Sequence, residues 1–212
     1  AGEGGLYAEL VKNRSFEQGL DAWTSFNGAT LELQTTDLLN SVQKTALSMT
    51  TSGATAAAPK GVSNAGFWGM GIHQDSTYTL TIWAKGGSIF TDHVKAQLRS
   101  QDGNTVLGES TLSGTINLTG WNKLTATVQA PGSDKKGQLS ILTGVGGRWS
   151  LDMVSLFPYT WKNRKNGLRP DLAQLLAETN PKFLRFPGGC SVEGADSYDN
   201  AFQWKKTIGP IE

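Results

Sequence analysis

The sequence predicts a mainly β protein: a jelly-roll-like β-sandwich over residues 16–158, inserted near the start of a (β/α)8 barrel of which only the first unit is present. Three observations carry this. From Phe16 to Pro158, apolar and polar residues alternate in short runs separated by turn residues, the pattern of half-buried antiparallel strands. After Pro158 the apolar spacing becomes helical, with Leu172, Leu175 and Leu176 on one stripe. That helix leads into Phe183-Leu184-Arg185-Phe186 and then Pro187-Gly188-Gly189. Helix, strand and glycine turn is the order of one barrel unit, whose loops gather at the strand ends to form a site.

The elements follow in order. Leu6, Leu10 and Val11, with Tyr7 beside them, predict a short amphipathic helix over Leu6–Asn13, placed with residues 1–15 in the barrel domain. Tyr78, Leu80, Ile82 and Ala84 alternate with Thr79, Thr81, Trp83 and Lys85, so Trp83 lies on the polar face of its strand. Val94–Arg99 and Lys123–Gln129 alternate in the same way, and weaker strands fit Thr30–Gln34, Ala46–Thr51, Gln138–Leu142 and Ser150–Phe157. Turn residues punctuate them, as at Asp102-Gly103-Asn104 and Pro131-Gly132-Ser133-Asp134. In residues 159–212, a helix over Arg169–Thr179 starts near Pro170 and ends before Asn180-Pro181, and the strand Phe183–Phe186 follows.

Composition narrows the classes of function. The net charge of +1 supplies no basic footprint for nucleic acid, and no apolar run approaches a membrane span. A single Cys excludes an internal disulfide, and two His far from it give no zinc pattern. Seven Trp leave aromatic rings beyond those a core requires. Low charge with 26 Gly fits a β-rich extracellular protein. The triplets Asn13-Arg14-Ser15 and Asn117-Leu118-Thr119 are glycosylation sequons, which point the same way, to a secreted chain.

The segment FLRFPGGCSVEG, followed by WKKTIGPIE and preceded by DMVSLFPYTWKNRKNGLRPDLAQLLAETNP, resembles family 51 α-L-arabinofuranosidases. The opening AGEGGLYAELVKNRSFE resembles the segment after their first barrel strand, and the middle resembles the carbohydrate-binding-module-4-like sandwich that many of them carry as an insertion. The resemblance implies a parent that releases terminal arabinofuranosyl groups from arabinan or arabinoxylan with retention. It also implies that Gly189 and Cys190, after the glycine turn, line the sugar pocket. Glu193 is not a catalytic carboxylate under this resemblance. The family's acid/base sits in an Asn-Glu-Pro-type motif and its nucleophile on a later strand, and neither motif occurs here. Retention needs two carboxyl groups ~5–5.5 Å apart. No catalytic residue is therefore expected in this chain, and the isolated chain is expected to be inactive without the remainder of the barrel.

No cofactor is needed for such chemistry. The resemblance does imply a structural Ca²⁺ held by Glu17 and Asp152, at the first and last sandwich strands, with backbone carbonyls completing the shell. The alternative is that both are ordinary surface or salt-bridge residues. For sugar, Phe67, Trp68 and His73 in the glycine-rich stretch Gly66–Gly71 and just beyond it suggest an aromatic platform on a rim loop. Trp83 is a platform or a covered residue, and Trp23 belongs to the core. Two rivals stand beside the enzyme reading: a free-standing carbohydrate-binding module, and a scaffold sandwich that binds no sugar.

Overall fold

In the computed structural model, two antiparallel sheets face each other across one apolar core. The structure describes all residues except 1–3, 87–93, 166, 184, 186–188, 190, 191, 193, 195, 196, 198, 199, 204, 206, 207 and 209–212. Among the described residues the strands are β1 (Trp23–Phe26), β2 (Thr30–Gln34), β3 (Ala46–Thr50), β4 (Lys60–Asn64), β5 (Met70–Ile72), β6 (Ser76–Gly86), β7 (Val94–Arg99), β8 (Val106–Thr111), β9 (Asn122–Ala130), β10 (Asp134–Thr143) and β11 (Arg148–Phe157). One sheet has the order β1-β4-β10-β7-β8, with β5 also on β10; the other has β2-β3-β11-β6-β9. The helix α1 (Pro170–Glu178) follows, close to the expected bounds.

Alternation decides which face each strand buries. Tyr78, Leu80, Ile82 and Ala84 of β6 are fully buried and stand opposite Val128, Ala126, Leu124 and Asn122 of β9. Burying a side chain of the size of Leu80 or Ile82 contributes roughly 1.5–3 kcal/mol. Strands β1, β4, β5 and β8 were not predicted, and β5 occupies part of the stretch read as a rim loop.

One expected element is corrected. Leu6–Asn13 is not helical. Tyr7 bridges Leu168, the Ala8 N–H donates to Gly167 O (3.1 Å), the Arg169 N–H to Leu6 O (2.9 Å) and the Leu10 N–H to Leu156 O (3.1 Å). An eight-residue helix is marginal alone, and here the backbone groups find partners across the chain instead. The residues that lead into the sandwich and those that leave it thus form an antiparallel neck. Of the expected strand Phe183–Phe186, Phe183 and Arg185 are in no strand and both are exposed, while Leu184 and Phe186 lie outside the described residues. Arg185 is accordingly not enclosed.

Two compact units are distinguished, residues 1–173 and 174–212, so both flanks of the sandwich up to Ala173 fall with it. In the second unit Leu175, Leu176, Phe183, Phe202 and Ile208 are exposed.

Candidate functional site

The turn joining β4 to β5 presents Phe67 and Trp68. Gly69 makes it possible: its φ is +95°, and a Cβ there would lie 2.5 Å from Lys136 Cα on the neighbouring strand. Trp68 is 80% exposed, so its ring is offered to solvent rather than packed. Phe67 lies 6.2 Å from it, ring centre to ring centre, and packs against the backbone at Gly4. Tyr78, rooted in the core, donates its hydroxyl to Gly71 O (3.2 Å) and accepts from the His73 N–H (2.8 Å), which fixes the turn carrying His73. Burial raises the Tyr78 pKa, so this phenol stays neutral.

These residues form one wall of a cleft of about 570 Å³. The neck and the start of α1 supply further lining residues, among them Tyr7, Tyr159, Arg169 and Asp171. Tyr7 is steadied edge-to-face on Phe157 at 5.3 Å. Arg169 donates through Nε and Nη2 to the two oxygens of Asp171 (3.2 and 2.6 Å). The hydrogen bonds from Arg169 hold the Asp171 carboxyl below its usual range and raise the guanidinium in return. The cleft also touches Glu9, but that carboxylate is spent. Its Oε1 accepts from the Val11 and Leu156 N–H groups (3.0 and 2.8 Å), and its Oε2 from Ser155 Oγ (2.5 Å) and Arg14 Nη1 (3.3 Å). Glu9 is committed to structural partners, whereas Asp171 accepts one hydrogen bond on each oxygen, both from Arg169. The arrangement is suited to binding, not to bond cleavage.

Three sequence-predicted residues, Phe67, Trp68 and His73, are therefore brought together. Gly189 is exposed in the other unit with φ +88° and open space around its Cα, and Cys190 lies outside the described residues, as does Glu193. Tyr159, Arg169 and Asp171 were missed as site residues; nothing in the local pattern marks them, because they reach the cleft only when the neck folds back. Trp83 is no open platform, since Lys123 Nζ sits 5.6 Å from its ring centre. Trp23 is buried against Phe16 and donates to Asn13 O (2.9 Å).

A second constellation lies on the outer face of the sheet containing β11. Between Asp152, opposite Trp83, and Ser155, opposite Thr81, β11 carries one extra residue, with Met153 at φ +47°. The bulge turns Asp152 and Ser155 to the same face. Asp152 is fully buried; its Oδ1 accepts from the Met153 N–H (2.7 Å) and its Oδ2 has no hydrogen-bond partner. Burial pushes its carboxyl up to about 7, opposed by that one hydrogen bond, and the nearby Glu17 charge raises it further. Glu17 is exposed and accepts from the Lys44 and Thr45 N–H groups (2.7 and 3.1 Å). Among the described residues no group of three acidic, His or Cys side chains could hold a metal. A cation here would draw on these two carboxylates and on backbone oxygens, and Ca²⁺ accepts such a shell. An orphaned buried carboxylate oxygen that feels the charge of a second carboxylate fits it.

The sequons differ. Asn117 is half-exposed, and its Oδ1 accepts from both the Thr119 N–H (3.2 Å) and the Thr119 hydroxyl (3.3 Å). Asn13 is buried, and its amide donates to Gly19 O (2.9 Å) and Asp21 O (3.1 Å), so a glycan at Asn13 is incompatible with this fold.

Residues 8–150 match the carbohydrate binding domain family, and residues 175–212 match the alpha-L-arabinofuranosidase 1 domain. An extracellular exo-alpha-L-arabinofuranosidase of Streptomyces chartreusis is 34% identical over all of this chain and 26% of its own length. Alpha-L-arabinofuranosidase 1 of Arabidopsis thaliana is 33% identical over all of this chain and 33% of its own length. The solved structure of an arabinose-bound GH51 α-L-arabinofuranosidase superposes with TM-score 0.85 at 31% identity, over 99% of this chain and 35% of that one. The chain thus spans about a quarter to a third of the relatives it matches.

Proposed function

Because the chain belongs to the carbohydrate binding domain family, and is homologous to the N-terminal region of α-L-arabinofuranosidases, we propose that it is the N-terminal portion of a secreted, retaining α-L-arabinofuranosidase. Its sandwich binds the arabinose-containing polysaccharide, arabinan or arabinoxylan, through the cleft of Phe67, Trp68 and His73. The observation that carries this reading is similarity over the whole chain to such enzymes, on both sides of the sandwich as well as through it. Glu17 and Asp152 hold a structural Ca²⁺, which supplies the positive charge that the buried Asp152 lacks. The family's pocket role for Gly189 and Cys190 belongs to the same reading.

Chemistry is left to carboxylates beyond this sequence. The 212-residue chain, assayed with 4-nitrophenyl α-L-arabinofuranoside, is expected to give no turnover, whereas the polypeptide read on through the gene past Glu212 turns it over. Turnover by the short chain, or none by the longer one, overturns the proposal. The rival of a free-standing module predicts retention of the short chain on insoluble polysaccharide and no activity in either polypeptide.

A further inference from the structure

Resting on the reading of the cleft as a sugar site, we propose that it selects neutral oligosaccharides presenting a vicinal diol, and that the Arg169–Asp171 pair reads that diol and turns uronic acids away. Phe67, Trp68 and Tyr159 line the cleft with aromatic rings, of which Trp68 and Tyr159 are well exposed, and such rings suit the apolar C–H side of a sugar. Aromatic faces alone do not distinguish one sugar from another. The polar groups at the rim must do that, and a small number of them is the usual arrangement in a mostly apolar pocket.

The fork geometry decides which ligand fits. Two guanidinium N–H groups of Arg169 are spent on Asp171, through Nε and Nη2. A guanidinium has five N–H donors and a carboxylate about four acceptor sites, so the pair still offers donors on one side and acceptors on the other. Neighbouring hydroxyls of a sugar match this: one donates to the carboxylate while the next accepts from the guanidinium, both charge-assisted. A uronate does not match. The cation is already neutralised in place, and a second carboxylate at the same fork meets Asp171 as a like charge.

The rest of the surface gives contrast. A polar row crosses the first sheet in register, from Thr24 through Ser63, Ser140 and Gln97 to Glu109. Ser63, Ser140 and Gln97 are buried, and the Arg99 guanidinium lies 4.6 Å from the Phe26 ring centre. That row is occupied by its own contacts, whereas the cleft is open.

The test is calorimetric titration of the 212-residue chain with arabinotriose, its 2,3-di-O-methylated analogue and trigalacturonate. Arabinotriose is expected to bind, and each of the other two at least about tenfold more weakly, the factor of one charge-assisted hydrogen bond. Asp171→Asn frees the guanidinium and is expected to invert the order, weakening arabinotriose about tenfold and strengthening trigalacturonate. Arg169→Lys, which keeps the charge but loses the fork, is expected to weaken arabinotriose alike and guards against a misfolded first variant. If both rim variants bind as the wild type does while Trp68→Ala abolishes binding, the cleft binds sugar and the selectivity claim is overturned. If Trp68→Ala and Phe67→Ala leave binding intact, or the wild type binds no probe, the underlying reading falls.

Discussion

Replacing Asp152 with Asn should stabilise the ion-free protein above pH 7 and abolish its response to Ca²⁺. The two effects have opposite sign, which makes the variant informative. Asp152 is fully buried with one oxygen lacking any partner, and its carboxyl titrates near 7 instead of 3.8. A folded-state pKa raised in this way favours the protonated form. Its stabilising effect is complete below about pH 3.8, the ordinary value, and is lost as pH rises through about 7. Each pKa unit is about 1.36 kcal/mol, so roughly three units set an upper bound of about 4 kcal/mol, and relaxation around the charge makes about 2–4 the working range. For a unit of this size that corresponds to about 5–10 °C in melting temperature. The Asn amide still accepts from the Met153 N–H but carries no charge. Calorimetric melts from pH 4 to 8, in chelator and in millimolar Ca²⁺, measure the difference between wild type and variant. In chelator the variant's advantage should grow across pH 4–7; in Ca²⁺ it should vanish or reverse, because the ion binds the deprotonated wild type. A pH-independent difference in chelator would refute the buried-charge argument. A wild type that melts identically with and without Ca²⁺ at pH 8 would refute the metal assignment.

Two further outcomes are expected. Arg14→Ala leaves Glu9 buried without its cation and should cost about 3–5 kcal/mol, roughly 10 °C in a thermal melt, with part recovered by adding Glu9→Gln; a loss under 1 kcal/mol would show that the backbone donors to Glu9 suffice. Expressed in a eukaryotic secretory host, the chain should lose one glycan by mass on Asn117→Gln and none on Asn13→Gln; a glycan on Asn13 would contradict the buried amide.

The sandwich was legible wherever one face of a strand is wet. Tyr78–Lys85 shows strict alternation because Thr79 and Thr81 face outward while Leu80 and Ile82 fill the core, and β6 extends only slightly past it. Strand β4 escaped notice because Gly61 to Asn64 are all buried, Ser63 through a hydroxyl pair with Ser140 at 2.7 Å, so no alternation survives. The neck was misread for a different reason. Leu6, Leu10 and Val11 have helical spacing, yet the decisive partners of that segment are Leu156, Gly167 and Leu168, about 150 residues away. The cleft was half legible: a Phe-Trp pair between glycines is a local signal, whereas Tyr159, Arg169 and Asp171 acquire their meaning only from that pairing. The bulge at Met153 left no trace either, and without it counting along β11 would put Ser155 on the face opposite Asp152.

The neck ties these features into one device. Glu9 sits in its incoming segment and reaches across to the Leu156 N–H and Ser155 hydroxyl, just past the bulge that turns Asp152 to the same face as Ser155. Arg14 completes the clamp and, through its carbonyl, accepts from the Val154 N–H inside the bulge (2.9 Å). The same neck carries Tyr7 and leads to Arg169 at the cleft. Both chain connections of the sandwich therefore run through hydrogen-bonded backbone instead of loose linkers. A buried charge pair is a weak source of net stability, but it enforces one arrangement, because any slip strands a charge in the core. Here the arrangement enforced is the register of Leu6–Leu10 against Leu156 and Leu168. That register brings Tyr7 and Arg169 to the cleft, so Glu9 and Arg14 act on its lining through the backbone they hold in place.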